Sequence, residues 1–508
     1  MAPGSRDAFA PREKRGAGGR AFCPPAPTRG YFQTENEDGV SLTDLSASDL
    51  ARLVAARKAA PSEIMAAHLA RISAVNGVVN AVVSLRDPDA VMAEARALDN
   101  APRKGWLHGL PVAVKDLVAT AGLRTSYGSP LFAEFVPAKD DLVAARMRAS
   151  GAVFVGKSNV PEWGQGSHSY NPVFGVTRNP YDLSRCAGGS SGGAAAALAC
   201  RMVPVADGSD MMGSLRNPAA FCNVYGFRPS WGLVPADADG DTYLNTLATE
   251  GPMGRTVEDV ARFLQVLSGE NPEVPFCRSV EPWADRLGGG VQGLRIGWLG
   301  DWGGAYAMEP GILDICRDAL RQLEEMGAVV EEIAPPFPAE KLWSAWVTLR
   351  AMLNAGGKRD FALDPAKRAR TKPETIWEIE QGMGLTAQAV YEASVIRSKW
   401  HARAAKLFQR FDAVVLPSAQ VWPFPAEWTW PKEIAGRAMD TYHRWMEVVI
   451  PVSLIGLPAL SVPVGFGAQG LPMGMQIAGR VGADAMVLRI GQAWHEATDW
   501  PGKHPPAV

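Results

Sequence analysis

Three short segments carry residue types able to do covalent chemistry. The first, Gly109-Leu-Pro-Val-Ala-Val-Lys115-Asp116, ends an apolar run on a lysine. A buried ammonium is costly. Burial therefore lowers a lysine's pKa until the neutral amine is available as a base. Taken alone, Lys115 reads as a surface lysine just past a strand end. The second segment, Cys186-Ala-Gly-Gly-Ser190-Ser191-Gly192-Gly193, precedes an alanine-rich helical stretch. Glycine-serine runs are ordinarily linkers, but this one sits inside a globular pattern. A phosphate cradle is the competing reading, although neither G-x-x-x-x-G-K-[ST] nor G-x-G-x-x-G is present here. The third segment is Asp207-Gly-Ser-Asp210-Met-Met-Gly213-Ser214-Leu-Arg216-Asn-Pro218. A serine directly after a glycine can present its hydroxyl on a tight turn. Backbone N–H groups just before it can converge on an oxyanion. The bland alternative is a polar turn stiffened by an Asp210–Arg216 ion pair.

A serine nucleophile needs a base. The nucleophile-elbow pattern G-x-S-x-G is missing here, which removes support for an α/β-hydrolase triad. No motif ties any of the seven histidines to Ser214. A lysine relayed through a second serine is the alternative chemistry, a variant of triad logic.

Holding these groups in place requires strands and helices. Short apolar runs over 79–85, 111–115, 153–156, 201–206, 224–227, 294–299, 413–416 and 459–464 predict buried strands. They alternate with helical stretches, as in an α/β protein with helices covering a sheet. Ser46 is placed to cap a helix carrying Leu50, Leu53 and Val54. Pro61 suits the first turn of a second helix, with Ile64, His68, Leu69 and Ile72 on one face. There His68 reads as a packed core residue. A last helix over 484–498 spaces Val487, Ile490 and Trp494. Residues 302–444, rich in Trp and charge, read as a mostly helical elaboration of the same domain, placed to cover the site. Residues 1–40 read as a tail.

Composition removes several functional classes. A chain of 508 residues allows one large domain or two ordinary ones. With 47% hydrophobic and 20% charged residues it reads as a soluble globular enzyme. A net charge of -2 offers no basic bias toward nucleic acid. No apolar run of ~18 residues is present, so no membrane span is expected. The six cysteines form no C-x-x-C pair, and free thiols in a reducing cytoplasm are the expectation. No His or Cys spacing matches a zinc site, and neither a metal nor a cofactor is expected.

Together the three segments resemble the amidase signature family. Residues 109–116 look like its lysine strand, 188–193 like its glycine-serine core and 209–218 like its nucleophile loop. Gly226-Phe-Arg-Pro-Ser-Trp-Gly-Leu-Val-Pro235 looks like the segment that follows. Gly456-Leu-Pro-Ala-Leu-Ser-Val-Pro463 and Gly474-Met-Gln-Ile-Ala-Gly-Arg480 also match. The likeness spans about 41–498 and is weak only between about 270 and 440. It implies a single large α/β domain, 41–508, with a mixed, twisted central sheet covered by helices. It also implies Ser214 as nucleophile, Ser190 after a cis peptide bond as bridging serine, and Lys115 as neutral base. The N–H groups of Met211, Met212, Gly213 and Ser214 would form the oxyanion hole.

Two positions depart from the family pattern. Met212 stands where a glycine is usual, and Cys186-Ala187 replaces threonine-proline. A methionine there would narrow the pocket or give it a soft apolar wall. Cys186 reads as packing, not as a catalytic thiol. Met211, Met212 and the tryptophans over 422–430 point to an apolar or aromatic substrate. The nucleophile-loop pattern looks most like bacterial amidases such as nylon-oligomer cyclic-dimer hydrolases and urethane-cleaving members. The expected activity is hydrolysis of a small amide, anilide, cyclic amide or carbamate. The alternative is the glutaminase component of a tRNA-dependent amidotransferase, against which Met212 counts. Expected partners are the substrate, water and a second copy of the chain in a homodimer.

Overall fold

Apolar runs bounded by turn residues form strands, and the strands assemble into two neighbouring sheets. The structure is a computed structural model describing residues 39–235, 237 and 240–508. The expected tail lies outside the described residues except for Gly39 and Val40. A small sheet joins β1 (Val82–Val83), β2 (Pro111–Lys115) and β3 (Val153–Ser158) in the order β1-β3-β2. Strands β2 and β3 are parallel. The large sheet holds β4 (Val205–Asp210), β5 (Tyr225–Arg228), β6 (Thr249–Gly254), β7 (Arg295–Trp298), β8 (Val329–Glu332), β9 (Ala413–Pro417), β10 (Ala459–Phe466) and β11 (Pro472–Ala478). Its order is β8-β7-β9-β11-β10-β5-β6-β4. β7 runs parallel to both neighbours, and the other pairings are antiparallel. The result is a single α/β domain with a large mixed sheet flanked by helices.

Helix starts follow their caps. Ser46 accepts the Asp49 N–H at 3.0 Å at the head of α1 (Ala47–Ala55). Helix α2 (Pro61–Val79) begins on Pro61, whose missing N–H would be unpaired there anyway. His68 on α2 is fully buried, and burial pushes its imidazole down to about 3. It is a neutral core residue. The final helix spans Asp484–Thr498 with Val487, Ile490 and Trp494 buried, as their spacing predicts.

The predicted strands differ from the observed ones where tertiary pairing overrides local preference. Of 79–85, only Val82–Val83 pairs, because α2 continues to Val79. The run 201–206 is displaced to Val205–Asp210, into a Gly- and Asp-bearing stretch of poor strand propensity. A six-residue antiparallel register with Thr249–Gly254 holds it there. That partner, rich in Gly and Pro, carries no strand signature of its own. Residues 302–444 are mostly helical, through Ile312–Glu325, α3 (Ala339–Leu363), α4 (Pro373–Met383) and Ala387–Leu407. The chain nevertheless returns to the large sheet twice within this stretch, as β8 and β9.

Candidate active site

Lys115 ends β2 beside the outer edge of the large sheet. The junction is a side chain: both Asp207 carboxylate oxygens on β4 accept the Lys115 backbone N–H, at 3.0 and 3.1 Å. The lysine side chain is fully buried. Its Nζ lies 2.9 Å from Ser190 Oγ, 2.8 Å from Ser191 Oγ and 2.8 Å from Ser209 Oγ. The three hydroxyls can accept from the ammonium, or from the neutral amine while one of them donates to its lone pair, and none carries a charge that would neutralise it. Burial pushes the amine down to about 8, against an upward pull from Glu250, Asp207 and Asp210. A second buried lysine, Lys157, makes the contrast plain. Its Nζ is held by the Val118 carbonyl and by Thr120 Oγ1, and no catalytic hydroxyl touches it.

The glycine-serine segment bends around this amine. The Gly189–Ser190 peptide is cis, as the resemblance implies. Gly188 has φ +73°, and a Cβ there would lie 2.9 Å from Pro218 Cα. Only glycine lets this loop close onto the nucleophile loop. Hydrogen bonds join the loops, among them Gly189 N–H to Asn217 Oδ1 at 3.1 Å and Ser191 N–H to the Ser214 carbonyl at 3.3 Å. Lys115 Nζ and Ser190 Oγ are thus in contact, and the backbone of Ser214 is joined to the neighbouring Ser191, with no hydrogen bond between the Ser190 and Ser214 hydroxyls among the described residues. Cys186, at the start of the glycine-serine segment, is fully buried, with its thiol pushed up to about 12 by burial. It supplies no thiolate at neutral pH.

Asp210 organises the nucleophile loop. Its carboxylate takes a bidentate pair from Arg216, at 2.9 Å to each oxygen, plus Arg228 Nη1 at 3.3 Å. It also accepts the N–H groups of Gly213 at 2.9 Å and Leu215 at 3.2 Å. The Asp210–Arg216 ion pair of the polar-turn reading is present and stiffens the loop. Gly213 N–H is occupied by Asp210. Among the described residues, the N–H groups of Met211, Met212 and Ser214 make no hydrogen bond. Three of the four expected donors are free for an oxyanion.

Burial opposes ionisation of Asp210, but the two guanidiniums hold its carboxyl well below the usual range. Asp210→Asn is expected to lower unfolding free energy by about 3–5 kcal/mol, because Arg216 and Arg228 stay buried without their counter-ion. The native pKa is depressed. The contribution is therefore present above the unfolded value of ~3.9 and is lost as pH falls below it. Urea unfolding near pH 7 checks the magnitude. A loss under ~1 kcal/mol would count against this role for Asp210.

Two side chains of α3 hold the Met211–Met212 stretch of the nucleophile loop. Trp346 Nε1 lies 3.2 Å from Met212 Sδ, and Arg350 Nη1 lies 3.4 Å from Met211 Sδ. Met212 is buried. Arg350 is paired with Glu378 of α4 at 2.7 Å, and Tyr442 Oη bonds both, at 2.8 and 2.6 Å. Glu378 in turn accepts Gln165 Nε2 at 2.8 Å. Gln165 follows Gly164 (φ +68°), where a Cβ would stand 3.7 Å from Ser190 Oγ. The helical stretch is thereby tied to the nucleophile loop and to the segment that passes beside Ser190. Met212→Ala is expected to cost about 2–5 kcal/mol through the cavity left under Trp346. Thermal unfolding checks this, and an unchanged midpoint would show that the Trp346 contact is idle.

Several of these groups carry no sequence signal. Asp207 and Ser209 come from one segment and Trp346 and Arg350 from another far along the chain, and the two segments meet only through the fold. The tryptophan-rich stretch is placed elsewhere: Trp422 and Trp428, with Phe424, Phe466, Glu309 and Arg185, line a cleft of about 840 Å³. None of Lys115, Ser190 or Ser214 lines that cleft. The aromatic side chain over the nucleophile loop is Trp346.

Comparison with known proteins places the molecule. The amidase family model matches residues 63–488. An acylamidase of Rhodococcus erythropolis is 33% identical over 91% of this chain and 97% of its own. A glutamyl-tRNA(Gln) amidotransferase subunit of Chloroflexus aurantiacus is 34% identical over 88% of this chain and 95% of its own. Among solved structures, a bacterial aryl acylamidase superposes with a TM-score of 0.85 at 29% identity, covering 91% of this chain and 99% of that one. A substrate-bound 6-aminohexanoate cyclic dimer hydrolase superposes with a TM-score of 0.81 at 26% identity, covering 91% and 99%. The chain belongs to the amidase signature family. It is an enzyme that hydrolyses carbon–nitrogen amide bonds.

Proposed function

We propose that the enzyme hydrolyses a small apolar or aromatic amide, anilide, cyclic amide or carbamate through an acyl-enzyme on Ser214. Ser190 hands its proton to Lys115 as it takes that of Ser214. Ser214 Oγ then attacks the carbonyl carbon. The tetrahedral oxyanion rests on the N–H groups of Met211, Met212 and Ser214, each such donor contributing about 2.7–4 kcal/mol. The proton returns through Ser190 to the departing amine, and water releases the acyl group. The observation that carries this reading is the buried Lys115 amine held by three serine hydroxyls and no carboxylate. The relative named an acylamidase and the aryl acylamidase structure support the amide and anilide classes. The unpaired thiols of Cys186, Cys200, Cys222, Cys277 and Cys316 support a reducing, cytoplasmic setting. A homodimer is part of the same reading.

The second reading, the glutaminase component of an amidotransferase, rests on the 34% identity to the Chloroflexus aurantiacus protein. Assay of the purified chain against N-acyl anilides, primary amides, small cyclic amides and carbamates separates the two. Anilide or cyclic-amide turnover by the chain alone is the expected result. Glutamine hydrolysis that appears only with partner proteins would overturn it.

A further inference from the structure

One charged residue beside Lys115 has no part in the mechanism above. Glu250 lies on β6 directly opposite Ser209 on β4 in the antiparallel register. Directly paired residues project from the same face of a sheet, and the Ser209 hydroxyl is one of the three that touch Lys115 Nζ, at 2.8 Å. The Glu250 side chain is therefore on the lysine's side of the ladder. Its Oε2 is enclosed and has no hydrogen-bond partner among the described residues. A carboxylate so placed is costly unless a cation faces it.

The surrounding charges single out Lys115 as that cation. Burial opposes ionisation of Glu250, and Lys115 is the charge that favours it. Asp207, Asp141 and Asp237 oppose it. Burial likewise opposes the Lys115 ammonium, and Glu250 leads the charges that favour it, ahead of Asp207 and Asp210. Those two have other duties. Asp207 accepts the Lys115 backbone N–H, and Asp210 is bound by Arg216 and Arg228. Lys157, the other buried lysine nearby, is held by Val118 and Thr120. Glu250 also lines a cleft of about 140 Å³ with Asp237, Asp241, Thr249 and Trp231.

We propose that Glu250 is the counter-charge of Lys115, a positioning residue whose carboxylate stabilises the ammonium formed when Lys115 takes up the proton of Ser214. Burial pushes the Glu250 carboxyl up to about 8, close to the Lys115 amine, so the competent resting pair, carboxylate and neutral amine, is reached as pH rises through about 8. One proton leaves Ser214, one reaches Lys115 through Ser190, and the ammonium forms beside a charge already in place. On amine departure the proton goes back by the same path and Glu250 stays ionised throughout. This rests on Lys115 acting as the base for Ser214.

The test uses the full chain and a fluorophosphonate probe, whose reaction rate reports the Ser214 oxygen without requiring the natural substrate. Glu250→Gln is expected to keep its thermal midpoint within a few degrees of the parent. Its labelling should rise with pH at a midpoint about one unit or more lower, because a favourable neighbouring charge is gone. The plateau rate should fall about tenfold or more. Glu250→Asp keeps the charge and should hold the parent's pH midpoint, and it serves in place of the Gln variant if that chain does not fold. A folded Glu250→Gln with the parent's pH midpoint would overturn the proposal, as would equal midpoint shifts in the Asp and Gln variants. Failure of the parent itself to label at Ser214 is a separate result, seen without any variant, and would overturn the Ser214 assignment.

Discussion

Replacing Ser214 by alanine is expected to lower kcat/KM for amide hydrolysis by roughly 10⁴- to 10⁶-fold, the range for loss of a triad nucleophile. The fold should persist. Ser214 is half-buried, and among the described residues its hydroxyl has no hydrogen-bond partner. Removing that oxygen leaves nothing unpaired. The carbonyl that accepts Ser191 N–H is backbone and stays. Stability should therefore change by no more than about 0.5 kcal/mol. Mass spectrometry after fluorophosphonate treatment checks the chemistry, with the adduct expected on the peptide holding Ser214. Ser191 is the rival hydroxyl. It is fully buried and already engaged by Lys115 and the Ser209 backbone, which leaves it little freedom to attack. An adduct on Ser191, or parental turnover in Ser214→Ala, would move the nucleophile.

How far the site was legible depends on where its information lies. Lys115, Ser190 and Ser214 sit in segments with distinctive local chemistry: a charge closing an apolar strand, glycines allowing close approach, and a serine after glycine. Each is visible in a short window, and their order along the chain made them readable together. The groups that tune them are not local. Asp207 is readable only as part of a loop until β2 is seen to end against it. Glu250 lies in a stretch without a strand signature, and only the register pairs it with Ser209. Trp346 and Arg350 belong to a helix whose sequence says nothing of Met211 and Met212.

The same division explains the fold. Runs such as 111–115 and 413–416 were legible as strands because they are apolar on both faces, as a sheet buried by helices requires. Thr249–Gly254 and Pro472–Ala478 were not, because Pro and Gly weaken the local signal and the strands exist through their partners. The nucleophile loop shows what pattern reading misses. Four adjacent N–H groups look equivalent in sequence, yet Asp210 occupies the one from Gly213. The carboxylate that shapes the loop thereby removes one of its donors.

Lys115→Ala is expected to cost roughly 10²- to 10⁴-fold in rate near neutral pH, the usual contribution of a general base. The pH profile carries the sharper signature. A base must be neutral to act, and burial brings the Lys115 amine to about 8. Activity of the parent should thus climb as pH rises through about 8 and level off above it. The variant should lack that limb and recover only part of its activity at high pH. Stability gives a second, independent reading. The native amine is depressed from 10.5, so the unfolded chain binds the extra proton between about 8 and 10.5, and parental stability rises with pH across that window. Below it the buried ammonium is retained at a cost, and above it the cost is gone. Lys115→Ala removes this group's share, while Lys157 and Lys358, also brought to about 8 by burial, keep theirs, so the variant's unfolding midpoint should change less than the parent's between pH 8 and pH 10. Equal slopes in the two proteins would mean that Lys115 is not the group titrating there, and an unchanged activity limb would remove it as the base.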